Sequence, residues 1–382
     1  MTKAVYAGSF DPITVGHLDI IQQAAKSFEK VIVLVATNPE KANQYMFSAK
    51  DRMDMVKRAL NHLPNVEVDI LSGGYAIHYA ERVGATALIR GLRDAKDFEA
   101  ERQIFTFNNF ENPAISTIFF MASPELAHIS SSYVKENCYG TSGWIDVIDK
   151  YVPGSVNDYL QNKYLKKIYR TCMNDEGSFH KIYGAYRKMN RYYHDISHII
   201  RMHDELMDFF QEYQRGDRVY YLRISVIATL FHDFYIESDF MPGEVVRFGY
   251  NVQKHCYDEL VNNFQKLAEL NEGDSKMIKE TIMATRHGPH DRKIGYNLLP
   301  VIDADLAIFG QSPSVYAKYA EDIRKEYGFV PDEEYRTGRI KVLQSFLDKE
   351  RIYETGYFYG KYEARARANL ENELASLVNN KS

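Results

Sequence analysis

Residues 31–36 read VIVLVA, an unbroken apolar run rich in β-branched side chains. A strand of this kind is buried on both faces, so the sheet that holds it must be covered on both sides. The surrounding pattern supplies that cover. KAVYAG, ending at Gly8, and residues 66–71, 87–90 and 116–121 also read as strands. Residues 18–28, 48–61 and 75–83 have helical spacing and fall between them. Strands alternating with helices imply βαβ units and an open parallel sheet.

At 382 residues the chain exceeds a single ordinary core, and its composition changes along its length. Of 29 tyrosines, 8 lie in residues 1–163 and 21 after them. Beyond residue 163 strand patterns almost vanish. Amphipathic stretches at 179–191, 196–213, 221–231, 244–270, 277–284, 315–326, 333–350 and 360–378 take their place. The expected organisation is an α/β domain with a Rossmann-like parallel sheet over 1–162 and an all-α domain over 163–382. Turn chemistry in the VPGS segment at 152–155 precedes the change.

A net charge of -5 gives no general attraction to nucleic acid or to an anionic membrane. The three cysteines, Cys138, Cys172 and Cys256, form no CxxC and suit a reducing compartment. No apolar run reaches the roughly 18 residues of a membrane span. MTKAVYAGSF has no apolar signal region, so a cytoplasmic protein is expected.

The segment from Gly8 to Ile21, GSFDPITVGHLDII, joins the first strand to the first helix. Ligands of parallel sheets bind at the carboxyl ends of strands, near helix N-termini. Gly8 and Gly16 permit close backbone approach, Ser9 offers a hydroxyl, and His17 on the first helical turn can donate to a phosphate. Further motifs follow in order: Asn38-Pro39-Glu40-Lys41, then Met46-Phe47-Ser48 with Arg52. Next come Leu88-Ile89-Arg90-Gly91-Leu92-Arg93 with Asp97-Phe98-Glu99 and Glu101, and Ile129-Ser130-Ser131-Ser132 with Lys135.

This ordered set resembles the phosphopantetheine adenylyltransferase family of the HIGH-type nucleotidyltransferases over residues 1 to about 160. The resemblance implies ATP and 4′-phosphopantetheine as substrates, with pyrophosphate and dephospho-coenzyme A as products. It also implies Mg²⁺ on the triphosphate, dephospho-coenzyme A or coenzyme A as product or feedback ligand, and a homo-oligomer. His17 would stabilise charge at the α-phosphate. Ser9, Lys41, Arg90 and Arg93 would hold the acceptor. Ser9, Phe10, His17, Gly91, Arg93, Glu101, Ser130, Ser131 and Lys135 would hold ATP. Nucleotidyl transfer asks a protein for in-line placement and charge neutralisation, and this donor set suits both. The chain departs from the family pattern at Ala100, where a tyrosine is usual. It also departs at Glu125-Leu126-Ala127-His128, where an aromatic commonly precedes ISSS, and in a longer loop after Lys41.

The second half carries another constellation: His194 and His198 at i and i+4, His232-Asp233, His287 and His290, and Asp303 and Asp305. The i, i+4 spacing places the first two histidines on one helix face. Mixed imidazole and carboxylate ligands suit a divalent transition metal or Mg²⁺ with positions open to water. Residues 175–378 resemble the HD superfamily of metal-dependent phosphohydrolases, which implies His198, His232, Asp233 and Asp305 as ligands and His194 as general acid. Asp303 is the weaker last ligand, because a helix turns about 100° per residue and the two aspartates face different ways. His287 and His290 could be phosphate or further metal-site groups, or ordinary surface residues. A nucleotidyltransferase for another phosphorylated acceptor, with a non-catalytic helical module, is the alternative reading.

Overall fold

The computed structural model describes residues 2–38, 44–71, 73–93, 95–138, 143–213, 216–239, 252–266, 268–286 and 295–379. The chain divides into two compact units, Met1–Leu160 and Gln161–Ser382.

The first unit alternates strands and helices: β1 (Lys3–Gly8), α1 (Val15–Ser27), β2 (Lys30–Ala36), α2 (Ala49–Leu60), β3 (Val66–Leu71), α3 (Ala76–Arg82), β4 (Ala87–Leu92), α4 (Ala95–Glu111) and β5 (Ser116–Met121). The short helices α5 (Ser131–Asn137) and α6 (Ile145–Ile148) follow. The sheet is parallel, with strand order β3-β2-β1-β4-β5. Every residue from Val31 to Val35 is at most 5% exposed, as a central strand covered on both faces requires. At one edge β3 presents the charged Glu67 and Asp69, which discourages further strand pairing.

From β1 the chain winds outward through β2 and β3. It then returns to lay β4 on the other side of β1. The order reverses between β1 and β4, so a crevice opens beyond their carboxyl ends. Gly8 ends β1, and Arg90 and Gly91 lie in the last part of β4, beside that crevice.

Helix α7 (Gly154–Arg170) begins within VPGS and contains the division between the units. The second unit continues with α8 (Phe179–Ala185), α9 (Ile196–Glu212), α10 (Arg218–Phe231), α11 (Val252–Glu259), α12 (Glu272–Ala284), α13 (Leu299–Leu306), α14 (Pro313–Glu326), α15 (Asp332–Leu347) and α16 (Gly356–Asn379). It is mostly helical. Helices α9, α10 and α13 pack together around buried Ile199, Ile200, Ile227, Val301 and Ile302. No helix among the described residues is long and apolar enough to cross a membrane.

Residues 244–251 of the stretch expected over 244–270 lie outside the described residues, and among the described ones three differences from the expected pattern stand out. Helix α4 was not expected: Phe98, Ile104, Phe105 and Phe110 along it are all exposed, so it shows no single buried stripe. Helix α8 stops at Ala185 instead of reaching residue 191. Helix α9 begins at Ile196, because Asp195 caps it by accepting hydrogen bonds from the Ser197 and His198 amides. His194 therefore precedes the helix, and the expected shared helix face for His194 and His198 does not exist.

Candidate functional site

In the first unit the segment after β1 is held by its own side chains. Thr14 caps α1. Its hydroxyl accepts from the His17 amide at 3.3 Å, while its own amide donates to His17 Nδ1 at 3.1 Å. This is a capping box with histidine in the place of the usual glutamate. Because Nδ1 accepts, the neutral ring carries its proton on Nε2, and that nitrogen is the donor available to a ligand. Burial, with the Arg93 cation second, lowers the His17 pKa to about 4, so the ring is neutral at physiological pH. A neutral imidazole that donates from Nε2 can polarise a phosphate without itself bringing charge.

Asp11 joins three of the motifs. Its carboxylate is 1% exposed and accepts from the Met46 and Phe47 amides, each at 3.0 Å, and from Lys135 Nζ at 3.0 Å. Arg52, also 1% exposed, donates to the carbonyls of Ser9 and Ala36 and to the Thr37 hydroxyl. It thereby ties the ends of β1 and β2 together. Gly16 is required by close approach: a Cβ there would lie 3.0 Å from the Ile129 carbonyl oxygen. The TVGH and ISSS segments touch at that point.

The expected ligand-binding residues fall into distinct states. Ser9 is exposed, Phe10 is buried edge-on to the His17 ring, and Gly91 packs against Ile20. Arg90 forms a two-pronged ion pair with Glu101, its Nη2 lying 2.6 Å from Oε1. Arg93 pairs with Asp97 at 2.7 Å. The Ser130 hydroxyl caps α5 by accepting from the Tyr133 amide, and the Ser131 hydroxyl donates to the Pro12 carbonyl. The His128 ring lies edge-on to Tyr133 ahead of these serines. Lys41, the side chain of Ala100, and His287 and His290 of the second unit lie outside the described residues.

The second unit brings together His198, His232, Asp233 and Asp305, with one ligand atom of each within 4.8 Å of the others. His198 Nε2 lies 3.2 Å from His232 Nε2, 3.5 Å from Asp233 Oδ2 and 3.4 Å from Asp305 Oδ1. His232 Nε2 lies 3.0 Å from Asp233 and 3.7 Å from Asp305. Bonds of about 2.1 Å to a common ion give edges of about 3.0–3.4 Å, so this spacing fits a cation. The His232 Nδ1–H donates to the Thr229 carbonyl at 2.9 Å, so Nε2 is the ring nitrogen that faces the cluster.

Burial disfavours charge on His232, but Asp233 and Asp305 outweigh it and raise its pKa well above the usual value. Burial likewise opposes ionisation of Asp233 and Asp305, and the neighbouring imidazoles overcome it and lower both. Carboxylates this dependent on positive neighbours are the groups a divalent ion would satisfy. Asp303 is elsewhere: it accepts from the amides of Glu354 and Thr355 and from the Thr355 hydroxyl.

His194 stands beside the cluster, with Nε2 3.8 Å from Asp233 Oδ2. Its Nδ1 is 2.6 Å from Glu326 Oε2, and Glu326 Oε1 accepts from the amides of Tyr192, Tyr193 and His194 at 2.8 Å each. Burial works against the His194 imidazolium, yet Glu326 and Asp233 hold its pKa up to about 9. Buried Arg191 donates to the carbonyls of His194 and Asp233, joining the two segments. Sequence reading did not assign Asp11, Thr14, Arg191 or Glu326 to a site. Asp11 and Thr14 lie within the GSFDPITVGH string, and Thr14 adds the T-x-x-H spacing of a capping box.

Residues 5–137 match the model of the cytidylyltransferase-like family. The phosphopantetheine adenylyltransferase of Caldanaerobacter subterraneus subsp. tengcongensis is 42% identical over 166 residues, covering 44% of this chain and 99% of that protein. The enzyme of the same description from Neisseria meningitidis serogroup C is 42% identical over 158 residues, 41% of this chain and 91% of that protein. That of Limosilactobacillus reuteri is 40% identical over 167 residues, 44% of this chain and 92% of that protein.

Proposed function

The chain belongs, through its N-terminal part, to the phosphopantetheine adenylyltransferase family, and from that premise we propose that its first unit transfers adenylyl from ATP to 4′-phosphopantetheine. The products are dephospho-coenzyme A and pyrophosphate, a step of coenzyme A biosynthesis. The observation that carries this reading is His17, fixed by Thr14 as a neutral Nε2 donor at the β1–β4 crevice. The acceptor's phosphate is itself the nucleophile, so no strong general base is needed. His17 stabilises the charge that grows on the α-phosphate.

Ser9, Lys41, Arg90 and Arg93 hold the acceptor in this reading. Phe10, Gly91, Glu101, Ser130, Ser131 and Lys135 complete the nucleotide site. Opening of the Arg90–Glu101 and Arg93–Asp97 pairs would free two guanidinium groups for phosphates. Mg²⁺ supplies charge neutralisation along the triphosphate. The nearby carboxylate Asp11 is engaged by two amides and Lys135, so the triphosphate oxygens, not Asp11, would hold that ion. Exposed Phe98, Phe105 and Phe110 on α4 support the expected homo-oligomer. Pyrophosphate release measured from ATP with 4′-phosphopantetheine, nicotinamide mononucleotide and phosphocholine in turn tests the acceptor. Faster turnover of either of the other two overturns it.

For the second unit we propose an HD-type, metal-dependent phosphohydrolase. The four-residue imidazole–carboxylate cluster supports it, with His198, His232, Asp233 and Asp305 holding a divalent ion. Such an ion supplies a lowered water pKa and a Lewis acid for a phosphoryl oxygen. His194, outside that ligand set, serves as general acid. Phosphate release by the full chain with Mn²⁺ across a panel of phosphoesters tests this. Metal uptake without turnover of any ester would favour a binding or regulatory module.

A further inference from the structure

Ser131 and Lys135 stand four residues apart on α5, on one face of the helix, and both reach back to the segment after β1. The Ser131 hydroxyl donates to the Pro12 carbonyl at 2.8 Å, and Lys135 Nζ lies 3.0 Å from Asp11 Oδ2. The same carboxylate oxygen accepts the Met46 amide, while Oδ1 accepts the Phe47 amide. Lys135 thus supplies a paired cation for a charge held out of water. Just before Asp11, the backbone of Phe10 has a φ of 46°, in the left-handed region that a residue with a Cβ enters only at a cost. Glycine would adopt it without strain, so the position calls for the ring. That ring folds back over Gly8, where a Cβ would lie 2.9 Å from its Cζ, and packs edge-on to Tyr6 and His17. The turn is held from both sides. Arg52 on α2 takes the Ser9 carbonyl before Phe10, and the Asp11 contacts fix the chain after it.

Resting on the adenylyltransferase reading, we propose that Lys135 and Asp11 are positioning residues for adenylyl transfer: the pair holds Phe10 in its left-handed turn and so keeps the His17 ring aimed at the α-phosphate. Lys135 then acts on the nucleotide through Asp11 and not as a phosphate ligand. To reach a phosphate, its ammonium would have to leave a buried carboxylate, and leaving strands that charge. The Ser131–Pro12 bond, one turn earlier on α5, ties the helix to the same segment, so α5 braces the strand-to-helix turn. His17 has two supports as a result. Thr14 engages its Nδ1 from the start of α1, and the Phe10 ring packs against it from the segment that Asp11 anchors. The two roles for Lys135 leave different kinetic traces. Misplacing a donor by about 1 Å costs on the order of 100-fold in rate. It leaves ground-state binding of ATP, which is spread over many contacts, little changed. Losing a phosphate ligand weakens that ground-state binding itself.

The test follows pyrophosphate release by the full chain with Mg²⁺ and saturating 4′-phosphopantetheine while ATP is varied. Lys135→Met should lower kcat by about 10- to 100-fold and change the KM for ATP by less than about 3-fold. Asp11→Asn should show the same split. The double variant should be no more than about 3-fold slower than the slower single variant, because both substitutions break one link. A KM for ATP raised by about 10-fold or more in Lys135→Met with kcat kept overturns the proposal and returns Lys135 to the phosphates. Losses that multiply in the double variant overturn it too, by making the two residues independent. A folded Lys135→Met with wild-type kcat and KM overturns it as well, by leaving the pair a purely structural role. Absence of dephospho-coenzyme A from the wild type overturns the adenylyltransferase reading itself. If Asp11→Asn does not fold, Lys135→Met, at a side chain 27% exposed, carries the test through its kcat and KM.

Discussion

Thr14 and His17 hydrogen-bond each other in both directions across the first turn of α1: the Thr14 amide donates to His17 Nδ1, and the His17 amide donates to the Thr14 hydroxyl. A single four-residue spacing therefore begins the helix and sets the tautomer of the imidazole. Thr14→Val keeps the shape and removes the hydroxyl. It should cost about 1 kcal/mol of stability, the worth of an N-cap, and lower adenylyl transfer by roughly 10-fold through a less well-held ring. Thermal unfolding and pyrophosphate release on the same preparation check both parts. Full activity with the expected loss of stability would confine Thr14 to capping.

The lowered His17 pKa also fixes a pH dependence. The unfolded chain protonates this residue near its ordinary value of about 6.5, whereas the folded one protonates it at about 4. Between those values the unfolded state binds more protons, so stability rises with pH by up to about 1.4 kcal/mol per unit from this group. Denaturant titrations of wild type and His17→Asn at pH 5 and 7 should show a steeper pH dependence in the wild type. Parallel dependences would mean that the folded His17 titrates normally.

Arg52 should be costly to replace. Its buried guanidinium serves the Ser9 and Ala36 carbonyls and the Thr37 hydroxyl together, a division of donors that a lysine ammonium cannot reproduce. Arg52→Lys should destabilise the protein by about 2–4 kcal/mol in chemical denaturation, since buried polar acceptors lose their donors. A loss below about 0.5 kcal/mol would show that the loops hold without it.

The two aspartates of α13 should separate cleanly. Asp305→Ala should abolish the thermal shift that Mn²⁺ gives the wild type, expected to be worth about 2.7 kcal/mol at a hundredfold excess over Kd. Asp303→Ala should keep that shift while lowering stability by about 1–3 kcal/mol, because the Glu354 and Thr355 donors are left unsatisfied. Reversed behaviour would move the ligand from Asp305 to Asp303.

Much of this was legible in the residues. VIVLVA demanded a doubly covered strand, and helical rotation separated Asp303 from Asp305 in advance. The motifs around Gly8, Arg90 and Ser130 were visible as strings, but their connection was not. Asp11 joins segments 35 and 124 residues away, and no local pattern encodes such pairing. The i, i+4 spacing of His194 and His198 pointed to a helix that the Asp195 cap cuts short. The partner that instead orders His194 is Glu326, 132 residues further on. Helix α4 escaped because Phe98, Phe105 and Phe110 face outward while Phe107 packs inward, so its apolar residues mark no single face.

The central claim is the adenylyl transfer at His17. Its most direct test is mass-spectrometric detection of dephospho-coenzyme A from the full chain given ATP, Mg²⁺ and 4′-phosphopantetheine, beside the same reaction with His17→Asn. The wild type should form dephospho-coenzyme A and equimolar pyrophosphate. The variant, folded by circular dichroism, should form them at least about 100-fold more slowly, the cost of losing a donor at a developing charge. Absence of dephospho-coenzyme A from the wild type, or an undiminished rate in the variant, would contradict the account.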